Sequence, residues 1–151
     1  MPRGYFGLRN STPIASGTSA KTILTWTPPS TGGIAQRNSI GIDFSGNDST
    51  AAPVLVEVLR GSSGGSGSAS VNPTASRASN PTGPTGGSGA EGYTGNPTGG
   101  TIIGRFYPKP YGQWRMPAGR ELVQNGSEML EMRVTAATSV NCVAFMDDLE
   151  T

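Results

Sequence analysis

Residues 61 to 100 form a glycine-rich segment that limits what the chain can fold into. The segment holds about half of the chain's 23 glycines, two charged residues, Arg77 and Glu91, and no large aliphatic side chain beyond Val71. Such a composition buries too little apolar surface to offset the conformational entropy that is lost on folding. The hydrophobic core must therefore come from the residues on either side of it.

Three interpretations of this segment deserve comparison. From Gly83 to Gly95 glycine occupies every third position, as in a collagen triple helix, but this register fails at Thr98 and proline is scarce. A linker between two domains would leave about three strands on each side, too few for either half to close a sandwich. We therefore expect a long excursion between two strands of one domain, held in place by another protein surface.

The flanking residues alternate between apolar and polar side chains, which is typical of β-strands. The runs are "KTILTWT" from Lys21, "NSIGIDFSG" from Asn38, "PVLVEVLR" from Pro53, "TIIGRFY" from Thr101, "LEMRVTA" from Leu130 and "SVNCVAFMDD" from Ser139. A short turn separates the last two runs, which predicts a closing hairpin. The sequence thus predicts an all-β fold: a single β-sandwich or jelly roll over residues 21–151, preceded by an extended N-terminal arm over residues 1–20.

Two short patterns match functional motifs but lack the context that those motifs require. "GSSGG" at residues 61–65 fits the G-x-S-x-G nucleophile elbow, and "GSGAEG" at residues 87–92 fits the phosphate-binding G-x-G-x-x-G. Neither pattern is followed by a helical period, and the chain has no histidine to serve as a base or a metal ligand. We expect no enzymatic activity and no cofactor.

The single cysteine and the acidic tail have plain structural interpretations. Cys142 alternates with apolar neighbours, which predicts a small buried side chain rather than a reactive thiol. Asp147, Asp148 and Glu150 could offer oxygens to a calcium ion, but a terminal run lacks the loop geometry that gathers ligands. No metal site is expected.

Charge and hydropathy restrict the partners. The formal net charge is +1, and the chain has neither an apolar N-terminal segment nor an apolar run that could span a bilayer. We expect no nucleic acid and no membrane as partners, and a soluble protein made in the cytoplasm.

Residues 105–117, "RFYPKPYGQWRMP", combine aromatic rings with basic side chains, as protein interfaces do. The same rings could stack against a glycan, or could cap an open end of the sandwich. Together with the arm and the excursion, this cluster gives the predicted partner contacts: Arg3, Tyr5, Phe6, Arg9, Arg77, Tyr93, Phe106, Tyr107, Tyr111, Trp114 and Arg115.

The runs "NSIGIDFSG" and "AAPVLVEVLRG", the excursion, and the final pair of strands with its acidic end resemble the decoration or cement proteins of tailed bacteriophage heads. The likeness covers the chain from about Lys21 onward. It implies a virion protein, made in the host cytoplasm, that binds the major capsid protein on the outer capsid surface as a homo-oligomer, often a trimer, and clamps neighbouring subunits. The glycine-rich segment departs from that pattern, which leaves open a carbohydrate-binding adhesion module or a head or tail fibre.

Overall fold

A computed structural model describes residues 4–28, 35–45, 51–72, 74–75, 87–117, 122–124 and 128–150. These residues contain no helix, and hence none long and apolar enough to cross a membrane. They form two antiparallel sheets that pack together as a β-sandwich. The all-β fold expected from the alternating runs is confirmed.

Thirteen strands make up the two sheets. They are β1 (Gly4–Arg9), β2 (Ile14–Ser16), β3 (Lys21–Thr27), β4 (Ala35–Ser45), β5 (Leu55–Ser62), β6 (Ala69–Val71), β7 (Thr74–Ala75), β8 (Ser88–Glu91), β9 (Thr101–Phe106), β10 (Gly112–Arg115), β11 (Leu122–Gln124), β12 (Met129–Thr135) and β13 (Val140–Glu150). The seven-stranded sheet has the order β10-β4-β13-β1-β7, with β11 also paired to β4 and β2 to β13. The six-stranded sheet has the order β6-β8-β3-β12-β5-β9.

The core lies between the sheets and uses the apolar positions of the alternating runs. Ile40 and Ile42 from β4 share one buried cluster with Met132 and Val134 from β12, and all four are fully buried. Burying such side chains contributes about 1.5–3 kcal/mol each relative to leaving them in water. Strand alternation thus sets the inner face of each sheet.

The predicted closing hairpin is wrong. β12 belongs to the six-stranded sheet and β13 to the seven-stranded sheet, so the turn between them crosses the sandwich. Among the described strands, no ladder joins two strands that follow each other directly in the chain. A strand with alternating residues buries one face whether the next strand in sequence pairs with it in the same sheet or packs against it from the other sheet. The periodicity therefore could not separate a hairpin from a connection between the sheets.

The N-terminal residues form strands of the seven-stranded sheet, where an extended arm was expected. β1 and β2 pair with two successive stretches of β13, and β1 also pairs with β7. Between β1 and β2, the side chain of Asn10 takes over the pairing with β13. Its Oδ1 accepts a hydrogen bond from Ala144 N at 2.7 Å, and its Nδ2 donates to Ile23 O at 2.8 Å. Because Ala144 and Ile23 lie in different sheets, this buried amide ties the two layers together.

The glycine-rich segment is partly built into the sandwich. β6 pairs with β8, and β8 pairs with β3, so both extend the six-stranded sheet. Residues 61–68 and 92–100, hereafter the paired loops, bond to each other through the bridges Ser63↔Thr98 and Ser66↔Gly95. Gly65 has a φ of +95°, and a Cβ there would stand 2.7 Å from the Tyr93 ring. Glycine therefore permits this close approach of the two loops.

A buried carboxylate lies on the outer face of the six-stranded sheet, next to the paired loops. Glu131 is fully buried and accepts hydrogen bonds from Thr22 Oγ1 at 2.5 Å, Ser62 Oγ at 2.6 Å and Arg133 Nη2 at 2.7 Å. The same Arg133 nitrogen donates to Pro97 O at 3.1 Å. Hydrogen bonds and an opposite charge together satisfy this ion, as burial of a charge requires.

Asn96 attaches the second of the paired loops directly to β3. Its Oδ1 accepts from Thr22 N at 2.9 Å and lies 3.0 Å from Thr22 Oγ1, whose one proton is donated to Glu131, and its Nδ2 donates to Ala20 O at 2.7 Å. Tyr93 adds a hydrogen bond of 2.8 Å between its hydroxyl and that of Thr25. The described part of the segment is thus held by its own chain, whereas another protein surface was expected to hold it.

The variant Asn96→Ala should lower the free energy of unfolding by about 1–3 kcal/mol, because it leaves the amide of Thr22 without its acceptor. Urea denaturation followed by tryptophan fluorescence measures this change. Thr98→Ala is the matched control, since Thr98 takes part through its backbone and its side chain is exposed. Equal stability of the two variants would show that the side chain of Asn96 does not hold the loop.

Candidate interaction surface

The edge strands β9 and β10 meet along one side of the sandwich. β9 is an edge strand of the six-stranded sheet, and β10 is an edge strand of the seven-stranded sheet. Residues 107–111 join the two strands. The rings of Phe106 and Trp114 lie 4.9 Å apart between centroids, tilted by 45°, and both pack against the core. These two rings close the side of the sandwich. We refer to residues 101–115 as the β9–β10 corner.

The loop of this corner has few degrees of freedom. Val54 N donates to Pro108 O at 2.9 Å, and Lys109 Nζ donates to Ala51 O at 3.2 Å. Pro108 and Pro110 fix their own φ angles, and Tyr111 N donates to Lys109 O at 2.8 Å. A loop fixed in this way loses little entropy when a partner binds it.

Exposure alternates along the corner. Tyr107 and Tyr111 are 67% and 64% exposed, and with Ile102, at 37%, they are the exposed large hydrophobic residues of the described chain. The other exposed side chains at odd positions are Thr101, Arg105, Lys109, Gln113 and Arg115. The corner therefore presents a stripe in which basic and aromatic side chains alternate.

The charge of this stripe has one sign. Residues 101–117 contain three basic residues and no acidic residue. Arg105 Nε lies 2.9 Å from Glu57 Oε1, a partner supplied by β5. Arg115 donates to Gln113 Oε1 at 2.7 Å and to Ser39 Oγ at 2.9 Å, neither of which neutralises it. The stripe is therefore suited to a partner that carries carboxylates.

Next to the corner, one row of residues crosses the outer face of the seven-stranded sheet. Arg9, Phe145, Gly41 and Arg115 lie opposite one another on β1, β13, β4 and β10. The guanidinium carbons of Arg115 and Arg9 lie 4.8 Å and 5.6 Å from the centre of the Phe145 ring, which is 3% exposed. The two arginines thus shield an outward-facing phenylalanine from solvent through cation–π contacts.

The predicted contact residues differ in their exposure. Tyr107, Tyr111, Arg9 and Arg115 are exposed, whereas Phe106 and Trp114 are half-buried and serve the core. Tyr93 is 4% exposed and its ring lies beside Gly65 in the paired loops, so its role as a contact stays a prediction. Tyr5 and Phe6 lie on β1 with side chains that the structure does not describe, and Arg3 and Arg77 lie outside the described residues.

Sequence reasoning missed Phe145 and Gly41 as parts of this surface. Phe145 occupies an odd position of a strand whose even positions fill the core, and Gly41 lies between Ile40 and Ile42. A large apolar residue on an outward face, and a glycine within a strand, are both signals of close packing on that face. The sequence did not show that these two residues, which are far apart along the chain, lie opposite each other on neighbouring strands.

A second surface feature is an open groove of about 580 Å³ beside Lys21. It is lined by residues 17–21 of the β2–β3 connection and by Tyr93, Thr94 and Asn96. The amide of Asn96 and the hydroxyl of Tyr93 are already engaged within the fold. The groove therefore offers a ligand few polar groups that are not already hydrogen-bonded within the fold.

Within the described part of the chain, no three His, Cys, Asp or Glu residues come together as a metal site would require. The buried carboxylates there have structural partners. Glu91 accepts hydrogen bonds from Asn10 Nδ2 at 3.0 Å and from Ser11 N at 2.8 Å, and Glu131 is bonded as described above.

Comparison with known proteins identifies no relative: no family model, no curated protein and no solved structure matches this chain.

Replacing Gly41 by alanine should destabilise the fold by about 1–3 kcal/mol, because the added methyl group overpacks a filled site. Its Cβ would stand 2.3 Å from the Phe145 ring and 2.5 Å from the backbone oxygen of Trp114. Gly17→Ala is the control, since nothing lies within 4 Å of a Cβ at that position. Thermal unfolding compares the two, and equal melting temperatures would contradict the packing described for Phe145.

Cys142 gives a prediction about pH. Burial raises the pKa of its thiol from 9.0 to about 12, so the folded protein should resist thiol reagents at pH 8 until denaturant is added. Between those two values the unfolded chain loses the thiol proton and the folded chain keeps it, so the free energy of unfolding should fall as the pH rises. The decline should be smaller in Cys142→Ala. Rapid labelling of the native thiol at pH 8 would contradict its burial.

Proposed function

We propose that this chain is a non-catalytic structural protein that docks through the β9–β10 corner onto the outer surface of a bacteriophage capsid. The observation that supports the proposal is the pair of exposed tyrosines, Tyr107 and Tyr111, on a loop fixed by Val54 and by two prolines. Tyrosine is enriched among the residues that dominate binding energy in protein interfaces. The resemblance to decoration proteins supplies the capsid as the partner.

In this proposal the protein stabilises the shell by contact alone. Each copy lies across neighbouring major capsid subunits, and a homo-oligomer, with the trimer favoured, links several such contacts. Linked contacts raise the effective concentration of each one, so weak docking by a single corner becomes firm attachment. Arg9 and Arg115, both exposed near the corner, contribute to the rim of the contact.

A second candidate function is carbohydrate binding, favoured by the same pair of exposed rings. Sugar rings stack on aromatic faces, and Tyr107 and Tyr111 are each about two-thirds exposed. Trp114, which the sequence offered for that role, is half-buried and packed against Phe106. The two tyrosines, rather than Trp114, are the residues to test for a glycan.

The double variant Tyr107→Ser with Tyr111→Ser should bind capsids roughly tenfold or more weakly, because each ring contributes about 1 kcal/mol or more as an interface anchor. Cosedimentation with capsids assembled from the major capsid protein of the same phage measures occupancy. The matched control, Tyr107→Phe with Tyr111→Phe, keeps the rings and should retain most of the affinity.

Unchanged occupancy of the serine variant would rule out this surface as the capsid contact. A glycan array separates the second function, since a sugar signal that disappears in the serine variant would favour carbohydrate binding over capsid docking.

A further inference from the structure

Arg115 differs from the other arginines whose side chains the structure describes. Each of those lies within 3.2 Å of a carboxylate oxygen: Arg9, Arg60, Arg105 and Arg133. Among the described residues, Arg115 has no carboxylate within ion-pairing distance, although Asp43 lies on the neighbouring strand β4. Asp43 is engaged elsewhere: its Oδ2 lies 3.2 Å from Arg9 Nη2, and its Oδ1 accepts a hydrogen bond from Gln113 Nε2 at 2.6 Å. The positive charge of Arg115 therefore has no counterion in that part of the chain.

The guanidinium of Arg115 is nevertheless held in one place. Its Nε donates to Gln113 Oε1 at 2.7 Å, and its Nη1 donates to Ser39 Oγ at 2.9 Å. Its carbon also lies 4.8 Å from the centre of the Phe145 ring. An exposed arginine usually keeps its rotamer freedom and loses it when a partner binds. Because the fold has already fixed this side chain, a ligand of Arg115 binds with little further loss of entropy.

The N–H groups that remain define what Arg115 can bind. A guanidinium has five, and the two bonds above leave both hydrogens of Nη2 and one of Nη1 without an acceptor in the described residues. One N–H on each terminal nitrogen matches the two oxygens of a carboxylate. The described side chains of this face include two aspartates, Asp43 and Asp147, which balance its two arginines. The face therefore has no surplus positive charge to attract a polyanion such as a nucleic acid.

We propose that Arg115 binds a carboxylate of the partner protein at the β9–β10 corner, through one N–H of Nη1 and one of Nη2. This inference rests on the proposed function, because it names the chemical group of the partner that meets this surface. Tyr111 directly precedes β10 and Arg115 ends it, and a strand rises about 3.3 Å per residue. One contact of ordinary size, about 800 Å² on each partner, covers both residues. The tyrosines supply contact area, and Arg115 selects a partner with an acidic side chain at the matching position.

The test is cosedimentation of capsids with the variant Arg115→Gln at roughly 0.05 M and roughly 0.5 M sodium chloride. At the lower salt concentration the variant should bind about tenfold more weakly than the wild type, because it loses a charge-assisted pair of hydrogen bonds. At the higher concentration the difference should shrink, because salt screens an exposed ion pair. Arg115→Lys keeps the charge but not the planar fork, so it should recover the salt dependence and only part of the affinity. Lys21→Gln is the control, since it removes a positive charge from β3, away from the corner.

Two further measurements separate carboxylate binding from a structural role. Ser39→Ala keeps the charge and the contact with Phe145 but removes one restraint on the guanidinium. It should weaken capsid binding about two- to fivefold and leave the salt dependence unchanged. Without capsids, the Nε–Hε resonance of Arg115 in the full-length chain should shift when a short glutamate-rich peptide is added to roughly 1 mM.

Several results would overturn the inference. These are wild-type occupancy by Arg115→Gln at the lower salt concentration, an equal loss at both salt concentrations, and an Nε–Hε resonance that ignores the peptide. Stronger competition for the capsid site by a short oligothymidylate than by the peptide would assign a phosphate as the ligand instead. If the tyrosine variants lose capsids and Arg115→Gln does not, capsid docking stands and the carboxylate contact does not. If Arg115→Gln loses capsids and the tyrosine variants do not, the reverse holds.

Discussion

The buried carboxylate of Glu131 is the interaction on which the arrangement of the glycine-rich segment depends. It joins β3, β5 and β12 through Thr22, Ser62 and Arg133, and two of these partners reach on to the second of the paired loops. Removing one member of such a buried ion pair typically costs about 3–5 kcal/mol, because the remaining charge is left without compensation. A segment with few apolar side chains is thus ordered largely by polar contacts with its own sheet.

This arrangement decides which surfaces remain for a partner. The paired loops lie against the outer face of the six-stranded sheet, where Glu131 and Tyr93 are buried. On the other sheet, Arg9 and Arg115 flank Phe145. Among the residues whose side chains the structure describes, the exposed aromatic rings lie at the β9–β10 corner, where the two sheets end side by side. Of the three regions for which composition predicted contacts, the N-terminal arm, the glycine-rich segment and residues 105–117, the proposed contact surface is therefore the last one.

The sequence predicts the inner faces of the sandwich well, because Ile40, Ile42 and Met132 follow the period that a half-buried strand imposes. The sequence does not predict which strands pair, since the same alternation fits a next strand that pairs in the same sheet and one that lies in the other sheet, across the core. From its place in the alternating run, Glu131 is expected to face outward into solvent, because no neighbouring residue in the sequence indicates that the paired loops cover it. Tyr107 and Tyr111 were predicted as contacts from composition, but only the fold separates them from Phe106 and Trp114, whose rings fill the side of the sandwich.

Amide hydrogen exchange of the free protein and of the capsid-bound protein tests the central claim most directly. The structure gives the amides of Thr94, Gly95 and Thr98 backbone acceptors within the chain, so they should exchange slowly in both states. In residues 101–111, protection beyond that given by the pairing of β9 with β5 should appear only on binding. Fast exchange of the paired loops in the free protein, with protection gained there on binding and none at the corner, would contradict the account and return the contact to the glycine-rich segment.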